Sequence, residues 1–238
     1  MPNASRVRRA TLTSQIEEAL RSDIIEGVLA PGRRLTAAEL TERYDVSPTP
    51  LREALQALAA QNLVDVDPRF GARVARISRA HLRDTYRVRE LLESLAVGES
   101  VRLGDGSWES GLREAFGRFE IAVGRSQRET HPVLSWSQAH QAFHDALMAA
   151  CDSQWLKSLL GILNAHSERY RMLAAQTGVR DPIAEHSAIF AAAISRDETA
   201  AVDALRQHLT RTVEVIEGSL AWVEDDLEAA AADAAPAS

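Results

Sequence analysis

Apolar positions near the start of the chain recur at helical spacing. Leu12, Ile16, Leu20 and Ile24 return every fourth residue and mark one face of a helix that stops near Gly27, before a Pro31-Gly32 turn. Thr36-Ala-Ala-Glu39 is a capping-box sequence, and it predicts a short helix carrying Leu40 that Tyr44-Asp45-Val46 interrupts. Ser47 is then a good N-cap with Pro48 at the first helical position, where a missing N–H costs nothing. The helix runs to about Gln61, with Leu51, Leu55 and Leu58 pointing inward. After Asn62 the period changes to two. Leu63 to Val66 and Ala72 to Ile77 alternate around Asp67-Pro-Arg-Phe-Gly71, a hairpin signature. Three helices and a two-stranded hairpin within residues 11–77 outline a winged helix-turn-helix.

From Ser78 onward the pattern is helical throughout. It predicts helices at about 80–103, 108–125, 132–151, 153–176, 182–195 and 197–222, broken by Gly104-Asp-Gly106, Gln127 to Pro132 and Gly178 to Pro182. The expected fold is therefore mainly α: a winged helix-turn-helix at 11–77, then an all-helical bundle at 78–223. Residues 1–10, basic and aperiodic, are expected to form a flexible arm. The acidic, Ala-rich stretch 224–238 is expected to be disordered.

Charge sharpens this division. The net charge of −7 argues at first against a nucleic-acid partner. Residues 1–77, however, carry 11 Arg against 10 Asp and Glu, so the acidity belongs to the remainder. A near-neutral domain still presents a basic face when its arginines cluster. No apolar run is long enough for a membrane span, and no apolar stretch follows Arg6, Arg8 and Arg9 as in a secretory signal. The single cysteine, Cys151, excludes an intramolecular disulfide and reads as a small core residue. These features suggest a cytoplasmic protein without a membrane role.

A helix that reads DNA offers short polar groups and arginines in its first turns. Here those turns carry Ser47, Thr49 and Arg52. Thr49 and Arg52 share a face, the hydroxyls suit phosphate, and Arg52 suits a phosphate or a guanine. Arg69 sits at the tip of the wing, beside Gly71. The stretches Gly27 to Leu35, Glu39-Leu40, Val46 to Leu55, Leu63-Val64 and Gly71 to Val74 strongly resemble the DNA-binding domain of the GntR family of bacterial regulators. Some relatives carry a base-contacting Arg where this chain has Pro48, which bears on the operator sequence. The resemblance implies a homodimer on a pseudo-palindromic, double-stranded DNA operator.

Candidate chemistry in the second part centres on histidine. His140 and His144 lie four apart on one helix, one turn from each other, the usual geometry for two ligands of one metal; His186 and His208 lie on later helices. Each one alone also reads as a surface residue or a satisfied core residue. Tyr86 to Glu93, Phe143-His144, Glu185 to Ile194 with Asp197, and Arg206 to Leu209 resemble the FCD ligand-binding domain of FadR-type GntR regulators. Metal-binding members use an Asp, then three histidines. The later positions match His144, His186 and His208, while His140 stands where the Asp is expected. The resemblance thus implies a divalent transition metal, zinc or nickel, held by His140, His144, His186 and His208.

A site without a carboxylate keeps the full charge of the ion and favours an anionic effector. Arg89 matches an arginine that faces the ligand pocket in this family. Its competing reading is a helix-surface ion pair with Glu93. Arg169 and Tyr170 are further effector-binding candidates, whereas Trp136 and Trp155 read as core. The expected function is a ligand-responsive repressor answering to a small organic acid. The alternatives are a metal-dependent hydrolase and a metal-free acyl-ligand sensor. Against an enzyme, His140-Gln141-Ala142-Phe143-His144 lacks the Glu of a zinc protease, and no P-loop, dinucleotide fingerprint or nucleophile elbow occurs.

Overall fold

The structure, a computed structural model, describes residues 11–67, 71–126, 132–174 and 182–219. Arg69, the arm at 1–10 and the tail at 224–238 lie outside the described residues. The chain divides into two compact units, Met1–Ile77 and Ser78–Ser238.

The first unit has the element order α1 (Leu12–Ile25), β1 (Arg34–Leu35), α2 (Ala37–Tyr44), α3 (Pro48–Ala60), β2 (Val64–Asp67) and β3 (Gly71–Val74). Thr11 caps α1 by accepting from Ser14 N, and Ile16, Leu20 and Ile24 form its buried face. Thr36 caps α2 by accepting from Glu39 N. The Glu39 carboxylate takes a hydrogen bond from Arg33. Asp45 then ends the helix in the left-handed conformation, at φ 51°. Leu20, Leu40 and Leu58 are each 0% exposed. Burying a leucine in this way contributes about 2 kcal/mol before entropy is counted.

The hairpin is one part of a three-stranded antiparallel sheet of order β1-β3-β2, which corrects the two-stranded expectation. Arg34 pairs with Arg73, Val64 with Val74, and Asp67 with Gly71. Two residues are too few to show a period of two, so β1 leaves no pattern in the sequence. Leu35 is its buried member.

The second unit comprises α4 (Arg79–Leu103), α5 (Gly106–Ser126), α6 (Pro132–Leu147), α7 (Gln154–Ala174), α8 (Pro182–Ile194) and α9 (Glu198–Ser219). Helix α6 stops four residues short of the expected end, and Met148 to Ala150 form a turn ahead of Cys151. Ser78 caps α4, and the Asp105 carboxylate accepts from Ser107 N and Trp108 N at the start of α5. Phe116 and Phe119 of α5, Phe143 of α6 and Phe190 of α8 build an aromatic core. Phe116 and Phe190 are stacked at 4.3 Å. Trp155 is 80% exposed, which corrects its expected place in the core. Cys151 is buried, with its backbone N–H donating to Ser100 Oγ.

Candidate metal centre and nucleic-acid interface

Helix α3 presents Ser47, Thr49 and Arg52 on its exposed side while Leu51, Ala54 and Leu58 are buried and Leu55 is half-buried. Ser47 stands at the N-cap, yet its hydroxyl makes no capping hydrogen bond. Pro48 and Pro50 carry no N–H, so the groups at this helix start suited to phosphate are the exposed Ser47 and Thr49 hydroxyls. Arg21, Arg33 and Arg43 are engaged in ion pairs with Glu17, Glu39 and Asp23. Arg52 has no ion pair among the described residues. Gly71 opens β3 opposite Asp67, at the loop end of the hairpin, with φ +82°, a left-handed conformation that glycine adopts without strain.

In the second unit the four histidines converge. His140 and His144 come from α6, His186 from α8 and His208 from α9, and all four are buried. One ligand nitrogen from each lies within 4.8 Å of the other three. His144 Nε2 lies 3.2 Å from His140 Nε2 and 3.3 Å from His186 Nε2. Tetrahedral zinc with bonds of about 2.05 Å requires nitrogen separations of about 3.3 Å. Phe119 and Phe143 wall the cluster, with centroids 4.6 Å and 5.5 Å from His186.

The outer ring nitrogens have distinct partners. His186 Nδ1 meets the Pro182 carbonyl, and His208 Nδ1 meets the Glu185 carboxylate at 3.0 Å. Both contacts place the proton on Nδ1 and aim the Nε2 lone pair inward, as metal-bound histidines require. His144 Nδ1 is buried without a hydrogen-bond partner. His140 Nδ1 receives the Arg171 guanidinium, which also pairs with Glu168. Burial holds the His140 and His144 imidazoles well below the usual histidine range; Arg171 adds to this at His140, and the neighbouring histidines add at both. Neutral imidazoles are the form that binds metal. The donor set and its geometry fit a divalent transition metal, and an all-imidazole set suits zinc, nickel, copper or iron.

Arg89 makes the pair with Glu93 of its competing reading, Nε to Oε1 at 2.6 Å, but the pair is buried and not on the helix surface. Its charge reaches the cluster and contributes, with that of Arg171, to holding His144 neutral. Arg169 is 2% exposed. The Tyr170 hydroxyl accepts from Ser78 N, donates toward Ser78 O and lies 2.7 Å from His81 Nδ1, so it pins the start of α4. Burial raises its pKa to about 12. Arg171 and Glu185 were not singled out from the sequence. Glu185 carried a signal, since it precedes His186 in a quoted landmark. Arg171 carried none, because its meeting with His140 depends on how α6 packs beside α7.

A wing, an exposed helix face carrying Arg52, and a second, helical unit are the parts of a DNA-binding regulator with an appended helical domain. Residues 12–74 match the bacterial regulatory proteins of the gntR family, and residues 84–211 match the FCD domain. The chain belongs to the GntR family of transcription regulators, in the branch that carries an FCD domain. An uncharacterized HTH-type transcriptional regulator of Paraburkholderia xenovorans LB400, BphR, is 37% identical over 220 residues, 90% of each chain. The HTH-type transcriptional repressor GlaR of Escherichia coli K12 is 32% identical over 208 residues, 85% of this chain and 94% of its own. Among solved structures, E. coli McbR/YncC superposes with a TM-score of 0.75 at 21% identity, covering 88% of this chain and 99% of that one. The last likeness concerns fold alone. The family and these relatives are transcription regulators, not enzymes, and regulators of this family bind DNA. No helix among the described residues is long and apolar enough to cross a membrane.

Proposed function

We propose that this regulator is a homodimeric repressor that releases a pseudo-palindromic operator when a small organic acid binds at a metal in the helical unit. The observation that carries the reading is the buried meeting of His140, His144, His186 and His208. Zinc or nickel would be held by these imidazoles and would supply a Lewis-acidic position for a carboxylate. Arg89 and Arg171 are each matched by a carboxylate, Glu93 and Glu168, so the charge of the ion itself would favour an anion at this place. Arg169 and Tyr170 join Arg89 as effector-side residues. Ser47, Thr49, Arg52, Arg69 and Gly71 belong to the DNA-contacting surface. Leu91 and Leu95, one turn apart on α4 and 67% and 60% exposed, support association with a second copy. The effector acts by binding one arrangement of the DNA-binding units better than the other.

The test combines elemental analysis with a gel-shift titration on the protein's own promoter. Protein purified without chelator should carry about one divalent ion per chain. A panel of small carboxylic acids should then contain one that releases the DNA from zinc-loaded protein and not from chelator-treated protein. Metal content near zero after reconstitution with zinc and nickel would sink the reading.

A further inference from the structure

One turn of α7 touches two separate places in the helical unit. Glu168 and Arg171 face α6: the Glu168 carboxylate accepts from Ser137 Oγ and pairs with Arg171, whose guanidinium lies against the His140 ring. Tyr170 points elsewhere, because successive helical residues are about 100° apart. It is 0% exposed and reaches the start of α4. Its hydroxyl accepts from Ser78 N at 3.3 Å, donates to Ser78 O at 3.1 Å and lies 2.7 Å from His81 Nδ1. A phenol has one proton and two acceptor positions, so these contacts occupy it fully.

Ser78 is where the helical unit begins, directly after the boundary at Ile77. It caps α4, with Oγ accepting from His81 N, and its carbonyl also accepts from Leu82 N at 2.9 Å. One side chain of α7 thus holds both backbone groups of the residue at which the chain turns from extended, at φ −157° and ψ 162°, into helix. Before the boundary, Ala75 N donates to Leu63 O at 3.0 Å within the first unit. Only Arg76 and Ile77 separate these two anchored residues. Extended chain spans about 3.3–3.6 Å per residue, so a connection of this length has little slack. A second tie on the first turns of α4, from Arg83 to Glu217 of α9, is exposed at Arg83 and contributes little.

We infer that Tyr170 couples ion binding at the histidine cluster to the connection between the two units, as a positioning residue that fixes Ser78 and with it the direction in which the chain leaves the bundle. The inference rests on the metal reading above and gives Tyr170, among the effector-side residues, its particular task. The physical step is electrostatic. Arg171 is positive, and with an ion among the four imidazoles it would face a second positive charge across the His140 ring. Like charges in a buried setting repel far more strongly than in water. Arg171 and Glu168 shift as a pair, and Tyr170 shares their turn of helix. A displaced phenol cannot keep all three contacts at hydrogen-bond distance, so Ser78 follows it or loses them.

The experiment uses the full-length protein and zinc alone, with filling of the site checked by competition against a chromophoric chelator. Operator affinity is measured by fluorescence anisotropy on a fragment of the protein's own promoter, with saturating zinc and with chelator. Zinc should change the affinity of the parent by at least about fivefold, the low end of coupling between two sites. Tyr170→Phe keeps the buried ring and removes only the hydroxyl, and there the change should shrink to within about twofold. Glu217→Gln, which weakens the exposed tie, should keep the ratio of the parent. Amide hydrogen exchange over residues 77–82 reads the connection without DNA. Zinc should slow it by at least about fivefold in the parent and leave it unchanged in Tyr170→Phe.

A parent-like ratio in Tyr170→Phe would overturn the inference, as would a parent that binds zinc with no change in operator affinity or in exchange. A ratio lost in Glu217→Gln and kept in Tyr170→Phe would move the route to α9 and overturn it equally. A parent that takes up no zinc removes the metal reading and this inference together, whereas zinc uptake without coupling through Tyr170 removes only the inference.

Discussion

Neutral histidines sealed in a core make folding stability depend on pH in a defined direction. Burial, reinforced by Arg171 and the neighbouring imidazoles, holds His140 and His144 well below their ordinary range, so each takes up its proton at lower pH in the folded protein than in the unfolded chain. In the unfolded chain both titrate near 6.5. Between that value and the folded pKa the unfolded state binds more protons, so the stabilising contribution is full above about pH 6.5 and is lost as pH falls. At pH 5.5 protonation of each unfolded imidazole is worth on the order of 1 kcal/mol, and the two together cost the metal-free protein roughly 2–3 kcal/mol relative to pH 8. His81, also lowered by burial and by Arg169, adds to the slope in parent and variant alike.

The assay is urea unfolding of chelator-treated protein at pH 8.0 and 5.5, read by tryptophan fluorescence. Trp108, Trp136, Trp155 and Trp222 all lie in the second unit, so the signal reports that unit alone. A His140→Gln/His144→Gln protein should lose roughly 2–3 kcal/mol less than the parent over that pH step. A difference below about 0.5 kcal/mol would refute this reasoning by showing that burial does not hold the two rings neutral.

Three further outcomes are expected. Glu93→Ala should destabilise the second unit by about 3–5 kcal/mol in the same urea assay, because the Arg89 guanidinium is left buried without its carboxylate; joint replacement by Arg89→Met and Glu93→Leu should recover most of that loss. Arg52→Ala should weaken operator binding by about 1–3 kcal/mol in a gel-shift titration and relax preference at one position per half-site if it reads a base. Unchanged affinity would remove α3 from the interface. Gly71→Val should cost about 1–2 kcal/mol in thermal unfolding followed by circular dichroism, because φ is +82° while the space for a side chain is open. A neutral result would show that the wing relaxes to a negative φ.

Sequence alone determined the elements whose causes are local. The four-residue recurrence of Ile16, Leu20 and Ile24 creates an apolar stripe wherever that segment becomes helical. Thr36, with its Oγ accepting from Glu39 N, and Pro48 at the first position of α3 act within a few residues of themselves. The side-by-side placement of His140 and His144 follows from four-residue spacing on one helix. Tertiary structure decided everything that depends on which faces meet. It brought His186 from α8 and His208 from α9 onto the α6 pair, and it buried Arg89 with Glu93 where helical spacing gave only their adjacency. It left Trp155 exposed despite its apolar bulk, because the buried side of α7 is the one carrying Leu156 and Leu160. It also set Arg171 of α7 against the His140 ring, a meeting that no spacing in the sequence announces.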